Sequence, residues 1–289
     1  MIYIIVGPTG SGKTEIAKQF SDYFSAPIIN ADAFQIYRDM NIGTAKISKD
    51  DPYYKKHYLL DIKSPSDNFS VKEYQALFRE TVEQLEKKYQ NIIVCGGTGL
   101  YIRASIYDYT FNDEEEIDTS DLEKLDNEKL YELLKILDPE AADKLHMNNR
   151  KRVMRAIVIS RSGTSKSENI NSQEHKLIYK DVQILMINPN REKLYDSINK
   201  RVDKMFEEGL VNEVKSLLKK YELSTTAKAA IGYKEVIDYL EGKYSLDDCK
   251  ELIKKRTRNY AKRQVTFFKN QFELEMFETN QQLLDKYIR

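Results

Sequence analysis

An apolar run, Ile2–Val6, leads directly into Gly7-Pro8-Thr9-Gly10-Ser11-Gly12-Lys13-Thr14, and these eight residues fill every fixed position of the phosphate-cradling pattern G-x-x-x-x-G-K-[ST]. The run reads as a buried strand that ends in a glycine-rich turn, with a helix from about Lys13. Glycine lets the backbone curl until several N–H groups point inward, and the positive end of the helix adds to the same spot. A turn of this kind is built for a polyphosphate. Lys13 is expected to reach an outer phosphate, and the Thr14 hydroxyl to hold a magnesium ion that bridges phosphate oxygens.

The strand reading recurs along the chain. Residues 27–31 give a second strand that ends at Asp32, and residues 91–95 give a third that ends in Gly96-Gly97-Thr98-Gly99. A fourth is expected at 182–187, and helices at 15–24, 72–89, 191–208, 211–221, 228–240 and 246–270. That alternation defines an α/β chain with a P-loop NTPase-like parallel sheet flanked by helices. Ligands of such sheets gather at the carboxyl edge of the strands, where residues 7–14, Asp32 and residues 96–98 all fall. The acidic run 113–116 breaks the pattern. From there to about residue 180 the chain reads as an inserted all-helical module with a Ser/Gly/Asn-rich loop at 162–172, so a catalytic core is expected from 1–112 and 181–289, with the insertion at 113–180.

Composition closes off several classes. Of 289 residues 41% are apolar, enough for a proper core, while 46 basic and 46 acidic residues cancel, so any charged partner must be read from local clusters. Cys95 and Cys249 have neither metal-type nor redox-type spacing, and so sparse a pair fits a reducing compartment. There is no basic leader before the first strand and no segment long enough to span a bilayer, so a soluble cytoplasmic protein without membrane partners is expected.

The third strand ends in glycine where a triphosphatase usually carries an Asp to position magnesium and order water, which weighs against a motor or a GTPase. Asp32 lies beside the phosphate site instead. It could take a proton from an acceptor, hold a metal, or cap a following helix. Two basic clusters stand out. In residues 150–155 Arg152 and Arg155 share a helical face, and in residues 254–263 Lys254, Arg258 and Lys262 form a stripe with Tyr260 and Phe267 nearby. Each could be a solvated face, or could meet a phosphate backbone and stacked bases. His57 reads as a structural hydrogen-bonding residue.

GPTGSGKT, NADAFQIYRDMNIGTAK (30–46), HYLLD (57–61), GGTGLYI (96–102), NNRKRVMRA (148–156), Ile231-Gly232-Tyr233-Lys234-Glu235 and TRNYAKRQVTFF (257–268) together closely resemble the tRNA dimethylallyltransferases, in order and over nearly the whole chain. These enzymes transfer a dimethylallyl group to N6 of adenosine 37, next to the anticodon. The resemblance implies that residues Gly7 to Thr14 grip the diphosphate of dimethylallyl diphosphate with Mg2+, so that the nucleophile attacks carbon and no water-positioning Asp is needed. It implies Asp32 as general base, Thr98 as a hydrogen-bonding group at the reacting centre, and Arg201 as the cation that neutralises the leaving diphosphate. Asp32, Ala33, Phe34, Gln35 and Thr98 would meet the target nucleotide, drawn out of its loop into a channel. Arg150, Arg152, Arg155, Lys262 and Arg263 would grip the tRNA anticodon stem-loop, and a monomer is expected. The chain departs from the family at Ala33 (usually Ser), Tyr58 (usually His) and Phe267 (usually Trp), and its loop at 165–178 is short.

Two other readings fit part of this pattern. A small-molecule or nucleotide kinase also combines a phosphate loop, an Asp after the second strand and a glycine-rich turn after the third, and would consume ATP in proportion to product. A non-catalytic RNA-binding protein with a retained phosphate pocket would bind RNA and make no product.

Overall fold

The computed structural model describes residues 1–111, 119–161 and 176–288. Strand β1 (Ile2–Val6) is buried along its length except at Tyr3, as a continuous apolar run must be when helices cover both faces of a parallel sheet. The other strands are β2 (Ile28–Asn30), β3 (His57–Tyr58), β4 (Ile92–Gly96), β5 (Val182–Ile187) and β6 (Glu275–Phe277). They lie in the order β3-β2-β4-β1-β5-β6 with every pairing parallel. The four strands read from the sequence form the middle of this sheet, and β3 and β6 are its edges. Val6 pairs with Gly96 on one side and with Met186 on the other, so the loops that follow β1 and β4 leave the sheet side by side.

Helix α1 (Lys13–Tyr23) buries Ile16, Ala17 and Phe20 against Ile5, Ile28, Ile93 and Leu185 of the sheet. Each such large side chain contributes roughly 1.5–3 kcal/mol. Helix α2 (Val71–Glu86) starts at a capping box in which Ser70 and Glu73 satisfy each other's backbone N–H. Helix α3 (Gly99–Ile106) grows out of the glycine-rich turn after β4, and Tyr74 of α2 stacks on its Tyr101 with ring centroids 4.1 Å apart.

Two compact units are present, Met1–Ile106 with Tyr179–Arg289, and Tyr107–Ile178. The second contains α4 (Ser120–Glu123), α5 (Asn127–Leu137), α6 (Pro139–Asp143) and α7 (Arg150–Arg161), packed around Leu122, Leu130, Leu134, Val153 and Ile157. Asp126 and Asp138 cap α5 and α6, and Tyr107 and Leu177 form an isolated antiparallel bridge. The acidic run 113–116 and the loop at 162–172 lie outside the described residues.

The first unit continues with α8 (Arg191–Glu207), α9 (Leu210–Lys220), α10 (Thr225–Lys228), α11 (Tyr233–Leu240), α12 (Leu246–Gln271) and, after β6, α13 (Asn280–Tyr287). One helix was expected over 228–240, and the chain instead breaks between α10 and α11. Gly232 sits at φ +97°, a left-handed conformation that costs other residues steric strain, and its N–H is bound by Glu235 Oε2 at 2.6 Å.

Candidate active site

The phosphate loop is made by backbone geometry first. Gly12, the residue before α1, has φ +84°, and α1 has no side-chain cap. The Ser11 and Glu15 N–H groups are taken by the Pro8 and Gly12 carbonyls, and the remaining amides at the start of an uncapped first turn form an anion site. Ser11 Oγ is buried in the same loop and makes no hydrogen bond among the described residues. Lys13 Nζ lies 3.4 Å from the Pro8 carbonyl. Burial holds its pKa below the ordinary value, with Cys95 and Asp32 acting in the opposite sense and Arg201 reinforcing the shift. The Thr9 N–H is not available to an anion, because it donates to Gln264 Oε1 at 2.9 Å. Of the residues read as diphosphate-binding, Thr9 therefore offers only its side chain, which lines the cavities described next.

Asp32 stands where β2 runs out. Buried Asn30 fixes this turn by donating to the Leu59 and Asp32 carbonyls and accepting the Asp32 N–H. The sequence left helix capping open as a role for Asp32. No helix follows it here: Asp32 Oδ1 accepts the Phe34 N–H at 3.0 Å in a turn. Thr98 ties this turn to the end of β4, since its Oγ1 accepts the Ala33 N–H at 3.0 Å and its N–H reaches the Ala31 carbonyl at 3.1 Å. The approach is close enough that a Cβ on Gly96 would stand 2.2 Å from the Ala31 carbonyl.

Two cavities meet here. The larger, about 250 Å³, is walled by Phe34, Met205, Ile231, Tyr260 and Arg263 among others. The smaller, about 50 Å³, contains Lys13, Thr14, Gln35, His57 and Cys95. Thr9, Asp32 and Arg201 line both. Arg201 comes from α8 and donates to the Thr44 carbonyl at 3.3 Å; burial lowers its pKa and Asp32 works against that shift. Burial likewise pushes the Tyr260 phenol up to about 12, so it is a neutral hydrogen-bonding group. His57 Nδ1 lies 2.7 Å from the Tyr53 carbonyl, the structural bond expected of it, and burial lowers its pKa.

The basic clusters divide. Arg150 does not present its charge to a ligand: its guanidinium donates to the carbonyls of Leu122, Glu123 and Leu125, closing the end of α4. Arg152 and Arg155 are exposed on α7. The stripe of α12 faces α8 rather than solvent over much of its length. Lys254 pairs with Asp203 at 2.8 Å and Arg258 donates to Asn199 at 2.6 Å. Lys262 and Arg263 are exposed and lie over the rings of Tyr195 and Tyr260, and Arg263 reaches the larger cavity. Gln35 donates to the Thr44 carbonyl, and the ring of Phe267 lies over Gly99.

Three contributors lie in the motifs at 231–235 and 257–268, to which the sequence assigned no role at the site. The break at Gly232 lets residues 229–231 wall the larger cavity, Glu235 holds both Gly232 and Arg256, and Gln264 joins two loops. Gln264 also carried a signal in its helical phase with Ala261 and Phe268, which are both fully buried.

A parallel sheet with an anion loop at its carboxyl edge, and a carboxylate and a guanidinium shared by two adjoining cavities, defines a group-transfer enzyme of the P-loop fold. Residues 35–271 match the family described as IPP transferase. Relatives include the tRNA dimethylallyltransferases of Anoxybacillus flavithermus, 40% identical over 96% of this chain and 90% of that one, and of Bacillus licheniformis, 39% identical over the same shares. Among solved structures, the tRNA delta(2)-isopentenylpyrophosphate transferase of Staphylococcus epidermidis aligns with a TM-score of 0.71 and 36% identity over 99% of this chain and 96% of that one. A eukaryotic dimethylallyltransferase acting on tRNA aligns with a TM-score of 0.80 and 28% identity, over 99% and 76%. The chain belongs to the IPP transferase family, the family of the tRNA dimethylallyltransferases.

Proposed function

We propose that this enzyme transfers the dimethylallyl group of dimethylallyl diphosphate to N6 of adenosine 37 in tRNA, giving N6-dimethylallyladenosine and diphosphate. The observation that carries the reading is that Thr9, Asp32 and Arg201 line both cavities. A donor anchored by its phosphates in the smaller cavity and a base entering the larger one meet at those three side chains. The amine nitrogen forms the new bond to the first carbon of the allyl chain as the carbon–oxygen bond breaks, and that electron pair leaves on the diphosphate. Lys13, Arg201 and the amides of the loop are the groups that stabilise it. The amine proton passes to the Asp32 carboxylate, with Thr98 holding the turn that presents it. Phe34 and Tyr260 offer flat apolar surface to the base.

Among the described residues no cluster of three or more His, Cys, Asp or Glu could hold a metal. Thr14, whose hydroxyl is the P-loop's metal-facing group, would be the residue that helps hold a Mg2+ ion at the bound phosphates. The ion would offset charge on the leaving diphosphate. Arg152, Arg155, Lys262 and Arg263 supply the cations for the anticodon stem-loop. No helix among the described residues is long and apolar enough to cross a membrane; action on tRNA in the cytoplasm, as a monomer, belongs to this proposal.

Purified protein incubated with dimethylallyl diphosphate, Mg2+ and a tRNA carrying A-A-A at positions 36–38 should yield N6-dimethylallyladenosine on nucleoside analysis, with no ATP consumed. Phosphorylated product with ATP consumption would replace this reading by a kinase.

A further inference from the structure

Gln264 stands one layer behind the reacting groups. It is 5% exposed, and both ends of its carboxamide are used. Oε1 accepts the N–H of Thr9 at 2.9 Å and Nε2 donates to the carbonyl of Gly97 at 2.8 Å. Thr9 belongs to the anion loop, and Gly97 precedes Thr98, whose hydroxyl holds Ala33 beside the Asp32 base. A single side chain from α12 thereby closes a hydrogen-bonded path from the donor's cradle to the acceptor's base.

The sheet cannot do this by itself. Its last pair here is Val6 with Gly96, and Thr9 and Gly97 both lie beyond that pair, where no ladder sets their spacing. The task calls for one acceptor and one donor at fixed separation on a rigid planar group, which an amide provides and a carboxylate or thioether does not. Building on the transfer proposed above, we infer that Gln264 is a positioning residue for the reaction: it sets the separation between the phosphate loop and the turn that carries Thr98 and Asp32. Reacting atoms must be held near 3–3.5 Å, and a displacement of about 1 Å costs on the order of a hundredfold in rate.

The test uses two substitutions in the full-length protein. Gln264→Met keeps length and bulk and removes both hydrogen bonds. Its single-turnover rate at saturating tRNA and donor should fall roughly 30- to 100-fold, while the Kd for inorganic diphosphate with Mg2+ and the Kd for tRNA stay within about threefold of wild type. Gln264→Glu keeps the acceptor for Thr9 but, when ionised, sets a second oxygen against the Gly97 carbonyl; once protonated, the carboxyl can donate there and restore both bonds. Its deficit relative to wild type, taken as a ratio at each pH because Asp32 and Lys13 are common to both proteins, should therefore shrink as pH falls. A Met variant that turns over within threefold of wild type, or that loses both affinities in proportion to its rate, overturns the assignment, as does a Glu variant whose deficit is independent of pH. A wild-type protein that transfers nothing removes the proposed reaction and this assignment together, whereas an active wild type beside an equally active Met variant removes this assignment alone.

Discussion

Burial disfavours the charge of Arg201, and the proposed transfer uses that charge to offset the leaving diphosphate. In a shielded pocket a fixed cation stabilises developing negative charge far better than it would in water. Arg201→Gln should lower kcat about 10²- to 10³-fold, with a smaller rise in the KM for dimethylallyl diphosphate, measured by steady-state kinetics at saturating tRNA. His57 makes a different prediction. Burial places its folded pKa below the ordinary 6.5, so between those two values the unfolded chain holds a proton that the folded chain does not. Stability is therefore lost as pH falls through that window, and His57→Gln should flatten this part of the urea-midpoint-against-pH curve. At this scale the residues legible in the sequence were those in contiguous patterns, Gly7 to Thr14 and Asp32 onward. Gln264 acts across 255 residues of chain, and no local spacing marks such a partner.

Elements were legible where their period was long. The central strands and α1, α2, α8, α9 and α12 follow from apolar runs or 3.6-residue periodicity. β3 (His57–Tyr58) and β6 (Glu275–Phe277) lack the apolar run that marks the equally short β2, and they form where the sheet's edges offer them partners. The α10–α11 break was hidden because 228–240 is helical in composition apart from one glycine; Gly232 is the N-cap that starts α11, its N–H held by Glu235. Gly232→Ala should destabilise the fold by about 1–2 kcal/mol through its left-handed backbone. Glu235→Ala, by removing a carboxylate only 1% exposed that pairs with Arg256, should cost about 3 kcal/mol, the low end for a buried pair since Arg256 is partly exposed. Urea denaturation measures both. The stripe of α12, which the sequence left open between a solvated face and a phosphate-contacting row, makes a related point: what decides the use of Lys254 and Arg258 is the neighbouring α8, where Asp203 and Asn199 pair with them.

For the whole molecule, the zero net charge means that affinity for a polyanion must come from placed cations. Arg152→Ala with Arg155→Ala should raise the KM for tRNA and reduce the slope of log affinity against log salt by roughly 1–2, leaving the donor's KM unchanged. Function was legible at this scale because the motifs of many segments fall in one order, and the parallel sheet then brings the turns after β1, β2 and β4 to one edge. The central claim is that the carboxylate at the junction of the two cavities takes the proton. Its most direct test is the single-turnover rate of Asp32→Asn with saturating tRNA and dimethylallyl diphosphate, read beside the tRNA Kd of the same variant. The rate should fall about 10²- to 10⁴-fold with the Kd within threefold of wild type, and a variant that transfers the group at the wild-type rate would contradict the account.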